Sequence, residues 1–275
     1  MSARDARWAE HLRQRYGPWA VVTGGSDGIG LALAQQLAAA GLNLVLVARG
    51  SSRLERVAQQ LGDTHRVSCV ALALDLSDAD GCAQLLAQTS QMDVGLLIAA
   101  AGFGSSGPLL DGDPAREANM VDLNCRAVLQ QAMLFGRRLS ARGRGGMILM
   151  SSLLAFQGVP RSANYAATKA YVQSLAEALH HELAPLGVDV LAAAPGPVHS
   201  GFAARASMTM GLALQPEPVA RAMLRSLGRR AVVRPGWLSW ALEASLAPLP
   251  RLWRVKILAR VMAGMSAREA GQTIA

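Results

Sequence analysis

A tyrosine and a lysine lie four residues apart in the segment SANYAATKAYVQSL, residues 162–175. If this segment is helical, Tyr165 and Lys169 lie one above the other on the same face, so the phenol and the ammonium can act on one small volume. A free tyrosine side chain has a pKa of about 10, which is too high for proton exchange at neutral pH. Because a nearby ammonium group stabilises the phenolate and lowers this pKa, the pair indicates a proton-transfer device.

A cluster of glycines follows the first apolar run of the chain, where residues 23–30 read TGGSDGIG and lead into a helical pattern. Glycines let a strand-to-helix turn approach a ligand closely, and the helix start offers free N–H groups to a pyrophosphate. Such clusters also occur for purely geometric reasons, but the position after the first strand favours a dinucleotide-binding loop. The predicted cofactor residues here are Thr23, Gly24, Ser26, Asp27, Gly28, Ile29 and Gly30.

The end of the second predicted strand indicates which dinucleotide fits. An acidic residue there would bind the ribose hydroxyls of NAD and repel the 2′-phosphate of NADP. The sequence has Arg49 instead, followed by Ser51 and Ser52, one of which we expect to cap the next helix. Arg49 therefore predicts NADP(H) as the cofactor, and the alternative is an exposed arginine at a helix start. Asp75 and Leu76, after the third strand, are predicted to meet the adenine ring.

Short apolar runs alternate with helical patterns between Trp19 and Gly236. This alternation is typical of βαβ units and predicts a single-domain α/β fold, a three-layer, doubly wound (Rossmann) parallel sheet of about seven strands. The runs are continuous, which indicates that both faces of the sheet are buried. The predicted strands are residues 19–25, 42–48, 66–74, 94–102, 146–152, 188–196 and 231–236. We divide the chain into this domain, residues 1–236, and a helical extension, residues 237–275.

Taken together, these motifs resemble the short-chain dehydrogenase/reductase family over about residues 19–236. The residues that carry the resemblance, in the family's order and spacing, are the glycine cluster, Asp75, Asn124, Ser152, Tyr165, Lys169 and Pro195-Gly196. The stretch YGPWAVVTGGSDGIG, residues 16–30, looks most like the branch of 3-ketoacyl-CoA reductases and 17β-hydroxysteroid dehydrogenases.

The resemblance implies an NADP-dependent oxidoreductase that interconverts a carbonyl and a secondary alcohol. It implies that Tyr165 donates a proton to the carbonyl oxygen in reduction and acts as the base in oxidation, and that Ser152 holds and polarises that oxygen. It also implies that Lys169 grips the nicotinamide ribose and that Asn124 holds a water linking Lys169 to solvent. An oxidised nicotinamide would add its positive charge to that of Lys169 and lower the Tyr165 pKa further.

The sequence departs from the family pattern at two places. The family's Asn-Asn-Ala-Gly is here residues 99–102, AAAG, which lacks the amides that brace the sheet, although we expect fold and activity to survive. The family's usual threonine after residues 195–198 is Ser200, which keeps a hydroxyl for the nicotinamide carboxamide. The remaining predicted cofactor residues are Ala101, Gly102, Pro195, Gly196, Val198 and Ser200.

Three mainly apolar segments, residues 101–110, 152–161 and 200–215, are expected to surround the carbonyl. They favour an apolar substrate, 3-ketoacyl or steroid-like, and the third is either a mobile lid or packed against a neighbouring helix. Their large apolar side chains are Phe103, Phe156, Phe202, Met208 and Met210. The extension, residues 237–275, is apolar and basic. It is a subunit interface, a cover over the substrate pocket or a membrane-surface helix, and we favour the first two of these alternatives.

Composition sets the remaining expectations for this chain of 275 residues with a net charge of +8. The arginines are scattered and no nucleic-acid-binding motif is recognisable, so we expect a solvated basic surface and no nucleic-acid partner. Short apolar runs and a polar N-terminus predict a soluble cytoplasmic protein. The cysteines Cys69, Cys82 and Cys125 are widely spaced, and His180 and His181 are adjacent on a probable helix, so we expect no metal site. We also expect a homodimer or homotetramer. The rival hypotheses are a catalytically silent dinucleotide-binding protein, which the intact Ser152, Tyr165 and Lys169 disfavour, and a membrane-surface protein of the same fold.

Overall fold

The computed structural model describes residues 3–206, 213–236, 245–246 and 248–270. Seven parallel strands form one sheet, and helices pack on both faces, as the alternating pattern predicts. The strands are β1 Trp19–Thr23, β2 Asn43–Ala48, β3 Cys69–Ala73, β4 Val94–Ala99, β5 Gly145–Met150, β6 Val188–Ala193 and β7 Val232–Val233. The α-helices are α1 Ala3–Tyr16, α2 Gly28–Ala39, α3 Ser51–His65, α4 Gly81–Gln88, α5 Pro114–Val121, α6 Ala127–Arg142, α7 Ala163–Leu183, α8 Phe202–Arg205, α9 Pro216–Ser226 and α10 Arg251–Ala270.

The strand order is β3-β2-β1-β4-β5-β6-β7. The strands β2 and β3 lie on one side of β1, and β4 to β7 lie on the other, so the strand order reverses between β1 and β4. At Thr23 the first strand pairs with Val47 of β2 on one side and with Ala99 of β4 on the other. In an open parallel sheet, a crevice forms outside the carboxyl ends of the strands at such a reversal, and ligands bind there. The topology therefore places the glycine cluster at the ligand-binding edge.

Buried side chains cover both faces of the central strands. Leu44 and Leu46 of β2 belong to one apolar layer, and Val45 and Val47 belong to the other. Because successive side chains of a strand point to opposite faces, a continuous apolar run fills both layers at once. Within the described residues, none of the helices has the length and apolar character needed to cross a bilayer.

The start of α3 differs from the expected one. Gly50, not a serine, is its N-cap, with an extended backbone at φ −85° and ψ 111° and without a side-chain capping bond. Ser51 and Ser52 already belong to the first turn, and both are exposed. The prediction of a serine cap is therefore wrong, because the backbone turns into the helix one residue earlier than the residue types indicate.

Thr23 has a different role from the predicted one. Its side chain is fully buried, and its hydroxyl accepts hydrogen bonds from the N–H groups of Ala100 at 3.1 Å and Ala101 at 3.2 Å. The same hydroxyl donates to the carbonyl of Ile98 at 3.3 Å. We therefore correct the prediction that Thr23 binds the cofactor: it braces the end of β4, which in this chain has no amide side chains.

Replacing Thr23 tests this brace. In Thr23→Val the side chain keeps its shape, but the two N–H groups lose their acceptor, so we expect the free energy of unfolding to fall by about 1–3 kcal/mol. Thr23→Ser keeps the hydroxyl and serves as the matched control, with a smaller loss. Urea unfolding of the three proteins measures the difference, and equal stability of Thr23→Val and wild type would contradict the bracing role.

Candidate active site

A cavity of about 730 Å³ lies at the carboxyl ends of the strands. One end is formed by the glycine turn after β1 and by the residues that follow β2 and β3. The other end is formed by residues after β5, by the loop after β6 and by the inner face of α10. Its volume lies in the range of about 300–1,000 Å³ that is usual for small-molecule and cofactor sites.

The glycine turn leaves no room for side chains. Gly24 has a positive φ of +69°, and a Cβ atom on Gly30 would lie 2.2 Å from the carbonyl oxygen of Gly24. Gly28 has φ +52°, and its Cβ atom would lie 2.6 Å from the Cβ atom of Ser200. Glycine is therefore required at Gly24, Gly28 and Gly30, where the chain turns tightly beside the loop that follows β6.

The residues present fit a nicotinamide dinucleotide. A close backbone turn leads into the first turn of α2, which suits a pyrophosphate, and the cavity continues from there to Tyr165 and Lys169. Every predicted cofactor residue except Thr23 lines this cavity. They are Gly24, Ser26, Asp27, Gly28, Ile29, Gly30, Arg49, Asp75, Leu76, Ala101, Gly102, Tyr165, Lys169, Pro195, Gly196, Val198 and Ser200.

Arg49 follows β2 at the end of the cavity that the glycine turn forms, and its side chain is 61% exposed. Its Nη1 atom is 3.8 Å from Oδ2 of Asp75, a loose pair that contributes little at such an exposed position. Burial opposes the ionisation of Asp75, but hydrogen bonds from Ser77 and the charge of Arg49 outweigh it and lower the Asp75 pKa. Because Ser77 holds the carboxylate, Arg49 can turn to another anion.

Asp27 connects the glycine turn to the substrate side of the cavity. Its Oδ1 accepts the N–H of Gly28 at 2.8 Å and caps α2, and its Oδ2 accepts the N–H of Gly201 at 3.0 Å. The carboxylate also pairs with Arg53 of α3 and Arg205 of α8, each at 3.3 Å. The two arginines were not among the predicted site residues, because only the tertiary fold brings them to Asp27.

Tyr165 and Lys169 lie on α7, as the spacing predicts, and Lys169 is buried. The Lys169 ammonium donates a hydrogen bond to the Met150 carbonyl at 2.8 Å and lies 5.8 Å from the centroid of the Tyr165 ring. Burial lowers the pKa of Lys169 to about 8. At neutral pH this side chain is charged, but it lies close to the point at which it releases its proton.

Burial determines the pKa of the Tyr165 phenol in this structure. Tyr165 borders the cavity and is otherwise enclosed by protein, and this burial raises its pKa to about 12. A hydrogen bond with Ser152 acts in the opposite direction but does not offset the burial. Desolvation therefore disfavours the phenolate more than the polar neighbours favour it. The lowering of this pKa by Lys169 together with an oxidised nicotinamide stays a prediction.

Two further predicted residues, Ser152 and Asn124, lie close to Tyr165 and Lys169. Ser152 is buried, follows β5, and accepts the N–H of Leu154 at 3.2 Å at the start of a 3₁₀ turn, Leu153–Phe156. Asn124 is fully buried in a π-helical turn, Asp122–Arg126, a feature often found at functional sites.

The Asn124 side chain forms three hydrogen bonds to protein groups. Its oxygen accepts the N–H of Phe103 at 3.2 Å, and its amide donates to the Phe103 carbonyl at 2.9 Å and the Thr168 hydroxyl at 3.1 Å. Asn124 thus joins the loop after β4 to α7 beside Lys169. Its predicted water-holding role stays a prediction.

Apolar side chains enclose the substrate end. The ring of Phe202 lies 5.5 Å from that of Tyr165, centroid to centroid, and Phe103 and Phe156 line the same space. The inner face of α10 adds Ile257, Leu258, Val261 and Met262, so this part of the extension covers the pocket. In the third predicted segment, Met208 and Met210 lie outside the described residues, and Leu214 forms a parallel bridge with Val198.

The comparisons with known proteins agree with this geometry. The family model described as short chain dehydrogenase matches residues 18–210. A very-long-chain 3-oxoacyl-CoA reductase of Podospora anserina is 38% identical over 182 residues, which cover 63% of this chain and 53% of that protein. The chain spans about half to two thirds of the length of the reductases of this name that it matches first.

Two solved structures extend the similarity. The structure of a 7beta-hydroxysteroid dehydrogenase has a TM-score of 0.83 and 25% identity, and the match covers 90% of this chain and 98% of that one. A short-chain dehydrogenase from Sphingobium yanoikuyae in complex with NADPH has a TM-score of 0.76 and 27% identity over 86% of this chain and 97% of that one. Both share nearly the whole described fold.

The contacts of Asp27 lead to a prediction about the loop after β6. In Asp27→Asn only one acceptor oxygen remains for the N–H groups of Gly28 and Gly201, and the charge that holds Arg53 and Arg205 is lost. We expect amide hydrogen exchange across residues 200–206 to become roughly tenfold faster, as for the loss of one hydrogen bond.

Hydrogen-exchange mass spectrometry measures this change. The matched control is Asp113→Asn at the start of α5, where the single capping bond to the Ala115 N–H can be kept by the amide oxygen. Unchanged exchange of residues 200–206 in Asp27→Asn would show that Asp27 does not hold the loop.

Proposed function

Because the chain belongs to the short-chain dehydrogenase family, we propose that this oxidoreductase uses NADP(H) to interconvert a carbonyl and a secondary alcohol on a largely apolar substrate. The observation that carries the proposal is the position of Ser152, Tyr165 and Lys169. All three line the cavity between the glycine turn and the apolar end. A reacting carbon held there has a cofactor site on one side and apolar walls on the other.

The cofactor would be held by the chain's own groups at three places. The glycine turn and the first turn of α2 would bind the pyrophosphate, and Arg49 would bind the 2′-phosphate. Lys169 and Ser200 would hold the nicotinamide riboside. When bound, the nicotinamide supplies hydride to the carbonyl carbon or takes it from the alcohol.

The proton is handled by Tyr165. With a pKa raised to about 12, its phenol stays protonated at neutral pH and is ready to donate to a carbonyl oxygen. Ser152, which lines the cavity together with Tyr165, would donate its hydroxyl proton to the same oxygen and stabilise the charge that develops on it. For oxidation the phenol must lose its proton, so positive charge near the site, including that of Lys169, has to offset the burial.

The apolar substrate class is supported by the lining and by the relatives. The aromatic rings of Phe103, Phe156 and Phe202 and the inner face of α10 form an apolar enclosure. Relatives named for very-long-chain 3-oxoacyl-CoA and for 7beta-hydroxysteroids point to a long or bulky apolar body. A homodimer or homotetramer and a cytoplasmic location complete the proposal.

Removing the Tyr165 hydroxyl tests the catalytic role. We expect Tyr165→Phe to reduce kcat at least about a hundredfold, because a positioned general acid contributes about 10²–10⁴ in rate. Binding of NADPH should be retained. The measurement is NADPH oxidation over ketosteroids, 3-ketoacyl thioesters and small aldehydes, with Tyr171→Phe as the control on the same helix, where the side chain is 40% exposed. Near-normal turnover by Tyr165→Phe would contradict the mechanism.

Replacing Arg49 tests the cofactor assignment. Arg49→Asp places a carboxylate beside the 2′-phosphate and offers an acceptor to the ribose hydroxyls of NADH. We expect the preference for NADPH, as a ratio of dissociation constants, to fall at least about tenfold, or about 1.4 kcal/mol.

Arg56→Asp, an exposed change on the neighbouring helix α3, is the control for net charge. Fluorescence titration with NADPH and NADH gives the dissociation constants of both cofactors for the wild type and for each variant. If the wild type prefers NADH, or if Arg49→Asp leaves the ratio unchanged, the NADP assignment is wrong.

A further inference from the structure

Two arginines line the substrate end of the cavity. Arg234 directly follows β7, and its guanidinium carbon lies 4.1 Å above the ring of Phe156. Arg254 lies in the first turn of α10, and its Nε donates to the Leu249 carbonyl at 2.8 Å. Both side chains are half-buried. The stacking and the hydrogen bond orient the two guanidinium groups within the wall of the pocket.

The charges of the cavity lining are divided between its two ends. Among the described lining residues the carboxylates are Asp27 and Asp75, and both lie at the dinucleotide end. Arg205 also lines the cavity, and it pairs with Asp27. The rest of the described lining around the substrate end consists of apolar side chains, uncharged polar ones and the guanidinium groups of Arg234 and Arg254. Such a wall matches a ligand that has an apolar body and an anionic group.

We propose that Arg234 and Arg254 bind an anionic group of the substrate, a carboxylate or a phosphate, while its apolar body lies between α10 and Phe202. This inference rests on the proposed function, and it narrows the substrate class from apolar carbonyl compounds to amphipathic anions.

The geometry favours such binding for two reasons. A guanidinium stacked on an aromatic face is already oriented, so less conformational entropy is lost when its planar donors meet a carboxylate or phosphate. In a cavity of low polarity, a charge-assisted hydrogen bond is also stronger than in water. A single bond of this kind contributes on the order of tenfold to a hundredfold in affinity.

A binding experiment tests the inference without turnover. Decanoate and decanol have comparable apolar chains and differ in charge, and calorimetry measures their dissociation constants on the full-length protein. We expect the double variant Arg234→Gln/Arg254→Gln to weaken decanoate binding at least tenfold and to leave decanol binding within about twofold. Arg260→Gln, an exposed change on the same helix outside the cavity lining, should leave both constants unchanged.

The outcomes separate the inference from a structural role of the arginines. Equal weakening of decanoate and decanol would show that the variant disturbs the pocket itself, and the inference would be overturned. It would also be overturned if wild type did not bind decanoate, or if the double variant bound it as tightly as wild type does.

A kinetic experiment distinguishes a carboxylate from a phosphate as the anionic group of the substrate. It also distinguishes a failure of the inference from a failure of the proposed function. Ketosteroid carboxylic acids are compared with their methyl esters, and 3-ketoacyl-CoA thioesters with their N-acetylcysteamine thioesters. A preference for the acids assigns a carboxylate, and a preference for the CoA thioesters assigns phosphates. Equal kcat/KM in both pairs overturns the inference but keeps the proposed function. NADPH oxidation absent from all four, with intact decanoate binding, overturns the proposed function alone.

Discussion

The burial of Lys169, together with the partial burial of Tyr165 in the same wall of the cavity, is the constraint on which the site depends. Burial makes the charged form of each group less stable, so it raises the pKa of Tyr165 to about 12 and lowers that of Lys169 to about 8. An enclosed phenol keeps its proton at neutral pH, and an enclosed ammonium lies near its own titration point. The Met150 carbonyl accepts a hydrogen bond from the Lys169 ammonium, and the hydrogen bond from Asn124 to Thr168 holds α7 next to it.

The sheet determines which groups meet at this wall. Because all seven strands are parallel, the residues that follow β1, β4, β5 and β6 reach the same edge. The glycine turn, Ser152 and Ser200 come from segments far apart in the chain, and Asp27 joins the turn to the loop after β6 through Gly201. The helix α10 then covers the apolar end, so the glycine turn and the apolar end border one cavity.

Local sequence patterns made much of the fold and of the candidate site predictable. Continuous apolar runs indicated the strands, and the four-residue spacing placed Tyr165 and Lys169 on one helix face. Three features could not be read from local pattern. Thr23 is turned inward by its bonds to the end of β4, the pKa of Tyr165 rises because of the surrounding fold, and Arg234 meets Phe156 only through the tertiary structure. Each of them depends on residues distant in sequence.

The most direct test of this account is an NMR titration of Lys169. The chain has only two lysines, so protein labelled with ¹³C at the lysine side chains gives two Cε signals, and the one lost in Lys256→Gln identifies the other as Lys169. We expect the Lys169 signal to titrate with a midpoint near pH 8, the pKa that burial gives this group. A midpoint at the ordinary lysine value of about 10.4 would show that water surrounds the Lys169 ammonium, and it would contradict the claim that burial lowers the pKa of this group.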